Sequence, residues 1–196
     1  MNRIISTLAA LALLTLPVLA QAATYNIDPE HSYTGFKVRH LMVSNVKGSF
    51  GKVQGTVFID DQDLSKSTVN VSIDTSSIDT GVAKRDNHLR SPDFFDVGKY
   101  PTMTFVSTKV AKSGSGLKVS GNLTLHGVTR PVVLDVEGPS AESKDPWGNF
   151  RRGASATGSI NRKDFGLAWN KALETGGVAV GEEVHLIIEV EMIKAK

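Results

Sequence analysis

The 196-residue sequence contains no cysteine. Disulfide staples and a lipid-bearing amino-terminal cysteine are thereby excluded, and stability has to come from burial and strand pairing alone. Charge of one sign is also missing: 22 Lys and Arg face 20 Asp and Glu, interspersed along the chain, for a formal net charge of +2. Neither a nucleic-acid face nor an anionic-lipid patch follows from that balance. Beyond residue 22 no stretch approaches the roughly 20 apolar residues that span a bilayer, so no membrane span is expected. Amphipathic helices long enough to cover a sheet are absent as well.

Motifs that carry chemistry are equally scarce. There is no His-x-His pair and no helical His-Glu-x-x-His, and His185 and Glu189, although on one strand face, make no zinc site by themselves. The nearest approach to a nucleophile elbow, Gly153-Ala154-Ser155-Ala156-Thr157, lacks the final glycine. Ser113-Gly114-Ser115-Gly116 imitates a phosphate loop, but no helix pattern follows it. Two glycosylation sequons, at Asn70 and Asn122, fall inside strand patterns and read as chance. No nucleophile, base and orienter come together, so the expectation is a binding protein, not an enzyme, with no cofactor and no metal.

What is present begins with a leader. Residues 1–22 combine Arg3, an apolar stretch over 4–20 and the small-x-small ending Ala20-Gln21-Ala22, the pattern of a secretory signal peptide. Residues 23–196 would then form one mature domain, and an exported chain without cysteine points to a bacterial periplasm. Two of the turn signals, Asp60-Asp61-Gln62-Asp63 and His126-Gly127, separate runs of alternating polarity. Val69, Val71 and Ile73 share one face, as do Leu117, Val119, Leu123 and Leu125, then Val132, Leu134 and Val136, then Val184, Leu186, Ile188, Val190 and Met192. The spacing predicts strands at 33–40, 49–60, 68–75, 102–110, 116–125, 128–138, 150–161 and 183–193. A sheet apolar on one face must close on itself or stack on a second sheet, and eight strands in a meander suit a barrel that holds side chains or one small ligand.

One segment, 76–101, breaks the alternation. Two short helices are expected there, one over 81–90 and another starting at Ser91-Pro92-Asp93, with Phe94 and Phe95 either plugging one barrel end or capping the core. Elsewhere small residues recur on inward parity: Gly51 and Gly55 beside Val53, Val57 and Ile59, and Ala154, Ala156 and Gly158 beside Phe150, Arg152 and Ile160. Such a column leaves a hole unless large partners meet it, although the glycines could instead mark bulges. His40 follows Thr34, Phe36 and Val38 on the apolar side of its strand, as a ligand contact or a rim residue.

The residues resemble the YceI-like family of periplasmic polyisoprenoid-binding proteins over nearly the whole mature chain. The resemblance is carried in order by His31-Ser32 with Phe36, Val38 and His40, by Val46-Lys47-Gly48-Ser49-Phe50, by residues 85–91 from Arg85 to Ser91, and by Phe94 with Tyr100-Pro101 and Phe105. Residues 121–132, Asp145-Pro146-Trp147-Gly148 with Arg152, and Asp164-Phe165-Gly166 continue it. It implies an all-β fold, an extended lipocalin-like eight-stranded antiparallel barrel with a short helical insert, whose apolar lumen holds a long isoprenoid chain for storage, transport or stress protection.

The family's lipid contacts are not a spaced motif, so ligand-binding candidates are assigned by parity. For the lumen these are Phe36, Val38, Val57, Ile59, Phe94, Phe95, Phe105, Leu123, Leu125, Ala154, Ala156, Ile160, Phe165 and Trp169. Around the mouth, His40, Arg85, Asp86 and His88 are expected to include the residues that meet the head group. Blander readings stand beside these: Asp86 pairs with Arg85 or Arg90, Trp147 straps a barrel end, Phe165 and Trp169 are core, and Gly176, Gly177 and Gly181 form a flexible loop. Two other classes stay open, a barrel enzyme acting on a lipid or small carbonyl, and a β-sandwich interaction module. Pairing of two barrels into a homodimer is likewise open.

Overall fold

Strands with one apolar face bury it here by closing into a ring. A computed structural model describes residues 22–174 and 176–196; apart from Ala22, the leader at 1–22 lies outside the described residues. The strands are β1 (Ala23–Ile27), β2 (Tyr33–His40), β3 (Ser44–Phe50), β4 (Val53–Ile59), β5 (Thr68–Asp74), β6 (Ile78–Asp79), β7 (Thr102–Ser113), β8 (Gly116–Leu125), β9 (Val128–Glu137), β10 (Ser143–Lys144), β11 (Phe150–Asn161) and β12 (Val180–Lys194), with one α-helix among the described residues, α1 (Ala83–Arg90). Antiparallel pairing runs β1, β4, β5, β7, β8, β9, β11, β12 and back to β1, an eight-stranded barrel.

Three of the staves are broken and continue upward. β12 pairs with β1 near Met192 and then with β2 from Glu189 to Val180, so β1 and β2 form one stave interrupted at 28–32. β3 continues β4 and β6 continues β5 in the same way, which raises one side of the wall above the ring. The sequence spacing recognised β2, β5, β7, β8, β9, β11 and β12, merged the end of β3 with β4, and missed β1 and the two-residue strands β6 and β10. The break between β3 and β4 sits where Lys52 takes a left-handed φ of 51°, which strand alternation does not announce.

The expected second helix after Ser91 is instead a tight turn. Phe94 and Asp96 both donate to the Ser91 carbonyl, and Asp96 adopts a φ of 45°, which stops helical propagation. His126 and Gly127, with φ of 52° and 74°, make the two-residue turn between β8 and β9 whose twist suits a hairpin. Gly181 belongs to β12 and not to the preceding loop. Trp147 is no strap: it is 81% exposed in a turn pinned by its N–H to the Asp145 carboxylate.

One of the inward glycines, Gly55, answers a backbone need. At Gly55, with φ of 156°, a Cβ would lie 2.2 Å from the Asn70 carbonyl oxygen and 2.8 Å from the Val71 Cα. That close approach to β5, not lumen width, accounts for the residue. Gly55→Ala is therefore expected to destabilise the barrel by about 2 kcal/mol or more, the scale of a forced backbone conformation with no room to relax. Urea denaturation measures it, and an unchanged midpoint would contradict this account of Gly55.

Candidate functional site

Every residue of the four apolar faces read from alternation lines one internal cavity of about 300 Å³, from Val69 on β5 to Met192 on β12. That volume lies at the lower end of small-molecule sites. The wall is apolar throughout because its polar residues turn away. Thr34 donates its hydroxyl to the Phe50 carbonyl at 2.6 Å, and Ser67 accepts from the Asp60 N–H. Arg162, buried and on the wall, donates to the carbonyls of Leu167, Val180 and Gly181. Burial holds its guanidinium below the ordinary arginine range, outweighing the opposite pull of the Glu182 charge.

Twelve of the sequence candidates line this cavity: Phe36, Val38, Val57, Ile59, Phe94, Phe95, Phe105, Leu123, Leu125, Ala154, Ala156 and Ile160. Six do not. Phe165 is buried in the core cluster beside Leu167 and Phe94, and Trp169 packs on that cluster against the rings of His88 and Phe94. His40 ends β2 at the rim, in register with Val180. His88 reaches the Asp93 carboxylate at 2.8 Å. Asp86 is buried and accepts from the backbone N–H and hydroxyl of Thr80, while Arg85 donates to the Thr80 hydroxyl and carbonyl. The insert's charges thus tie α1 to the loop before it, and Asp86 forms no ion pair with Arg85 or Arg90 among the described residues.

Alternation passed over further wall residues, among them Ile27, Phe50, Leu89, Met103 and Leu167. Ile27 sits on the missed β1, and Leu89 and Leu167 come from irregular segments where parity has no meaning. Phe50 and Met103 had a usable signal, the apolar ends of strands at 49–60 and 102–110.

Different residues stand at the two ends of the tube. At the insert end Leu89, Phe94, Phe95 and Leu167 line it. At the other end Tyr25 is 1% exposed, and Arg152, on inward parity, donates to its hydroxyl and forms a two-pronged pair with Asp61 at 2.8 and 2.6 Å. Burial, then the Tyr25 hydrogen bond to Glu142 at 2.5 Å, pushes the phenol up to about 12. Outside the wall, where β1 breaks into β2, Arg151 joins Asp28, Asp145 and Glu191 at 2.7, 2.7 and 2.6 Å. Asp28, His31 and Glu191 have metal-ligand chemistry and lie close together, but Arg151 occupies the position between the two acids that a cation would need.

With this geometry in place, comparison with known proteins identifies its relatives. The model of the YceI-like domain matches residues 25–192. The protein YceI of Salmonella newport is 42% identical over 179 residues, covering 90% of each chain. Among solved structures, the Campylobacter jejuni YceI protein is 34% identical with a TM-score of 0.68, covering 81% of this chain and 90% of that one. A polyisoprenoid binding domain from Saccharophagus degradans, 19% identical with a TM-score of 0.62 over 88% of this chain and 99% of that one, shares the fold.

The Arg151 cluster generates a pH prediction. Burial pushes the Asp145 carboxyl up, but hydrogen bonds from Arg151, the Asn149 side chain and the N–H groups of Asn149 and Trp147 outweigh it and hold the group well below the usual carboxylate range. A depressed carboxylate stabilises the fold above its unfolded pKa, near 3.9, and loses that contribution as pH falls toward the folded value. The difference in urea midpoint between wild type and Asp145→Asn is expected to hold from pH 8 to about 5 and to shrink below about pH 4. A difference that persists undiminished at pH 2.5 would contradict it.

Proposed function

The chain belongs to the YceI-like family, and from that premise we propose that it is a non-enzymatic lipid-binding protein that holds a long-chain isoprenoid in the barrel lumen. The observation that carries this reading is the cavity wall: some forty residues from every stave and the insert present hydrocarbon and no free polar atom. Such a surface can recognise only shape and apolarity. Burying one methylene contributes about 0.8 kcal/mol, so a few five-carbon isoprene units contribute on the order of 10 kcal/mol before association and ordering costs. The Saccharophagus neighbour, described as a polyisoprenoid binding domain, supports the ligand class.

An enzyme acting on the lipid would need a titrating group at the wall. None of the five histidines in the chain lines the cavity, and no carboxylate does. A sandwich module is ruled out by ring closure between β11 and β12. The leader pattern at 1–22 and the lack of cysteine support a periplasmic home, where the protein would store or carry a lipid that water does not dissolve.

Ala156 supplies the test, since it lines the lumen as a small residue between its larger neighbours Val136 and Ile188 on the flanking strands. Geranylgeraniol is expected to raise the melting temperature of the wild type. Ala156→Phe should keep the fold while reducing geranylgeraniol affinity at least about tenfold, because its ring fills ligand space in a wall with little slack. Equal affinities in the two proteins, each measured by isothermal titration in the same detergent, would contradict the lumen as the binding site.

A further inference from the structure

Residues 31–59 hold Lys37, Arg39, Lys47 and Lys52 and no acid, so the charge balance of the whole chain does not extend to this stretch. It folds as β2, β3 and β4, and the hairpin of β2 and β3 ends in three consecutive apolar residues, Leu41, Met42 and Val43. All three are exposed, Val43 at 76%. Single apolar residues on a surface are ordinary, but a contiguous group at a protruding turn calls for a partner. The turn is also strained. Leu41 and Met42 take φ of 49° and 60°, and the Val43 N–H donates to the His40 carbonyl across them. Two left-handed residues in a row mark a hairpin turn that Asn-Gly fills with least strain, and Leu-Met is a poor choice for it. Backbone strain that folding does not require tends to sit where function does.

The tip is nonetheless held in place, and by cationic residues. Arg39 donates to the Met42 carbonyl at 2.7 Å, the Leu41 N–H to the Ala179 carbonyl at 2.8 Å, and the Ala179 N–H to the Lys171 carbonyl at 2.8 Å. Arg39 and Lys171 therefore stand beside the tip, and Lys47 follows it on β3, opposite Lys37. Arg39, Lys47 and Lys171 are exposed, and among the described residues none of them has a carboxylate within 4.0 Å. The acids of neighbouring β12 have other partners: Glu182 reaches Lys163 at 2.5 Å and Glu183 reaches His185 at 3.7 Å. Glu174 lies in the adjoining loop, which approaches Met42 at Gly177. Three residues at a turn are far fewer than the roughly 20 a side of a stable protein interface. A narrow apolar point with unpaired cations behind it suits instead a surface where hydrocarbon lies just beneath anionic head groups.

We propose that the β2–β3 tip docks the barrel on an anionic lipid bilayer, with Leu41, Met42 and Val43 entering the acyl boundary and Arg39, Lys47 and Lys171 meeting the lipid phosphates. The docking itself does not depend on what fills the lumen. Its use, to collect or deliver an isoprenoid at the bilayer, rests on the lipid-binding reading.

The test floats the protein with vesicles of phosphatidylglycerol or of phosphatidylcholine and records the melting temperature of each variant. Wild type is expected to bind the anionic vesicles at least about tenfold tighter than the neutral ones, since each cation near such a surface adds to the attraction. Leu41→Asn/Met42→Gly should lower that affinity at least about tenfold while the melting temperature holds or rises, because the turn then has the residues it favours. Lys47→Gln/Lys171→Gln should reduce binding to the anionic vesicles alone. Trp147→Ser, at the exposed turn beside the opposite end of β12, should bind like wild type. Absence of vesicle binding, equal binding to the two lipids, unchanged binding in the Asn-Gly variant or an equal loss in Trp147→Ser would each overturn the proposal. A fall in melting temperature with the Asn-Gly change would assign the apolar pair to the fold, and self-association lost with that change, without vesicle binding, would assign the tip to a second copy of the chain; either overturns bilayer docking. A rise in melting temperature with geranylgeraniol, measured on the same proteins, tells failure of the tip apart from failure of the lumen reading.

Discussion

The structure depends on one constraint: an antiparallel sheet with a single apolar face, and no helices to cover it, must close on itself. Closure brings inward side chains from all eight staves into one shared space. Whether that space is solid or hollow is then a matter of side-chain volume. Val, Leu and Ile dominate the wall, Ala154 and Ala156 stand where bulk would be needed to fill it, and the result is a tube. No separate binding apparatus was added to the fold. The same side chains that hold the barrel together leave the space that a hydrocarbon can enter, and the hydrophobic effect that closes the ring is the one that would bind the chain.

Charged residues stand near the ends of the tube and brace its breaks. Arg152, half-buried, and Arg162, buried, stand near opposite ends of it, each with its donors satisfied, by Asp61 and Tyr25 in one case and by three backbone carbonyls in the other. Arg151 holds the interruption between β1 and β2 from outside, through Asp28, Asp145 and Glu191. A chain without disulfides needs such fastenings where pairing lapses, because an unpaired backbone segment is otherwise the first to open. Past the last register pair of β9 and β11, His126 bonds the Phe165 carbonyl at 3.2 Å.

Much of this was legible in the residues. Alternation is a local property with a period of two, so the inward faces of β5, β8, β9 and β12 could be assigned side chain by side chain without knowing the partners. The barrel and the apolar wall followed. What alternation could not reach was of two kinds. Interruptions such as Lys52, and short strands such as Ala23–Ile27, depend on pairing across the sheet and leave little local pattern. Long charged side chains were the other kind: Asp86, Arg85 and His88 in the insert were expected near the mouth, yet they fasten α1 to Thr80 and Asp93. Parity assigns a side to a Cβ. It does not say where the far end of an arginine goes.

The account stands or falls on occupancy of the lumen by hydrocarbon. Protein purified without detergent from its native host, extracted into chloroform and methanol and examined by mass spectrometry, is expected to release an isoprenoid in near one-to-one proportion. An extract free of lipid, from protein whose melting temperature added isoprenoids then leave unmoved, would show that the tube is simply an imperfectly filled core.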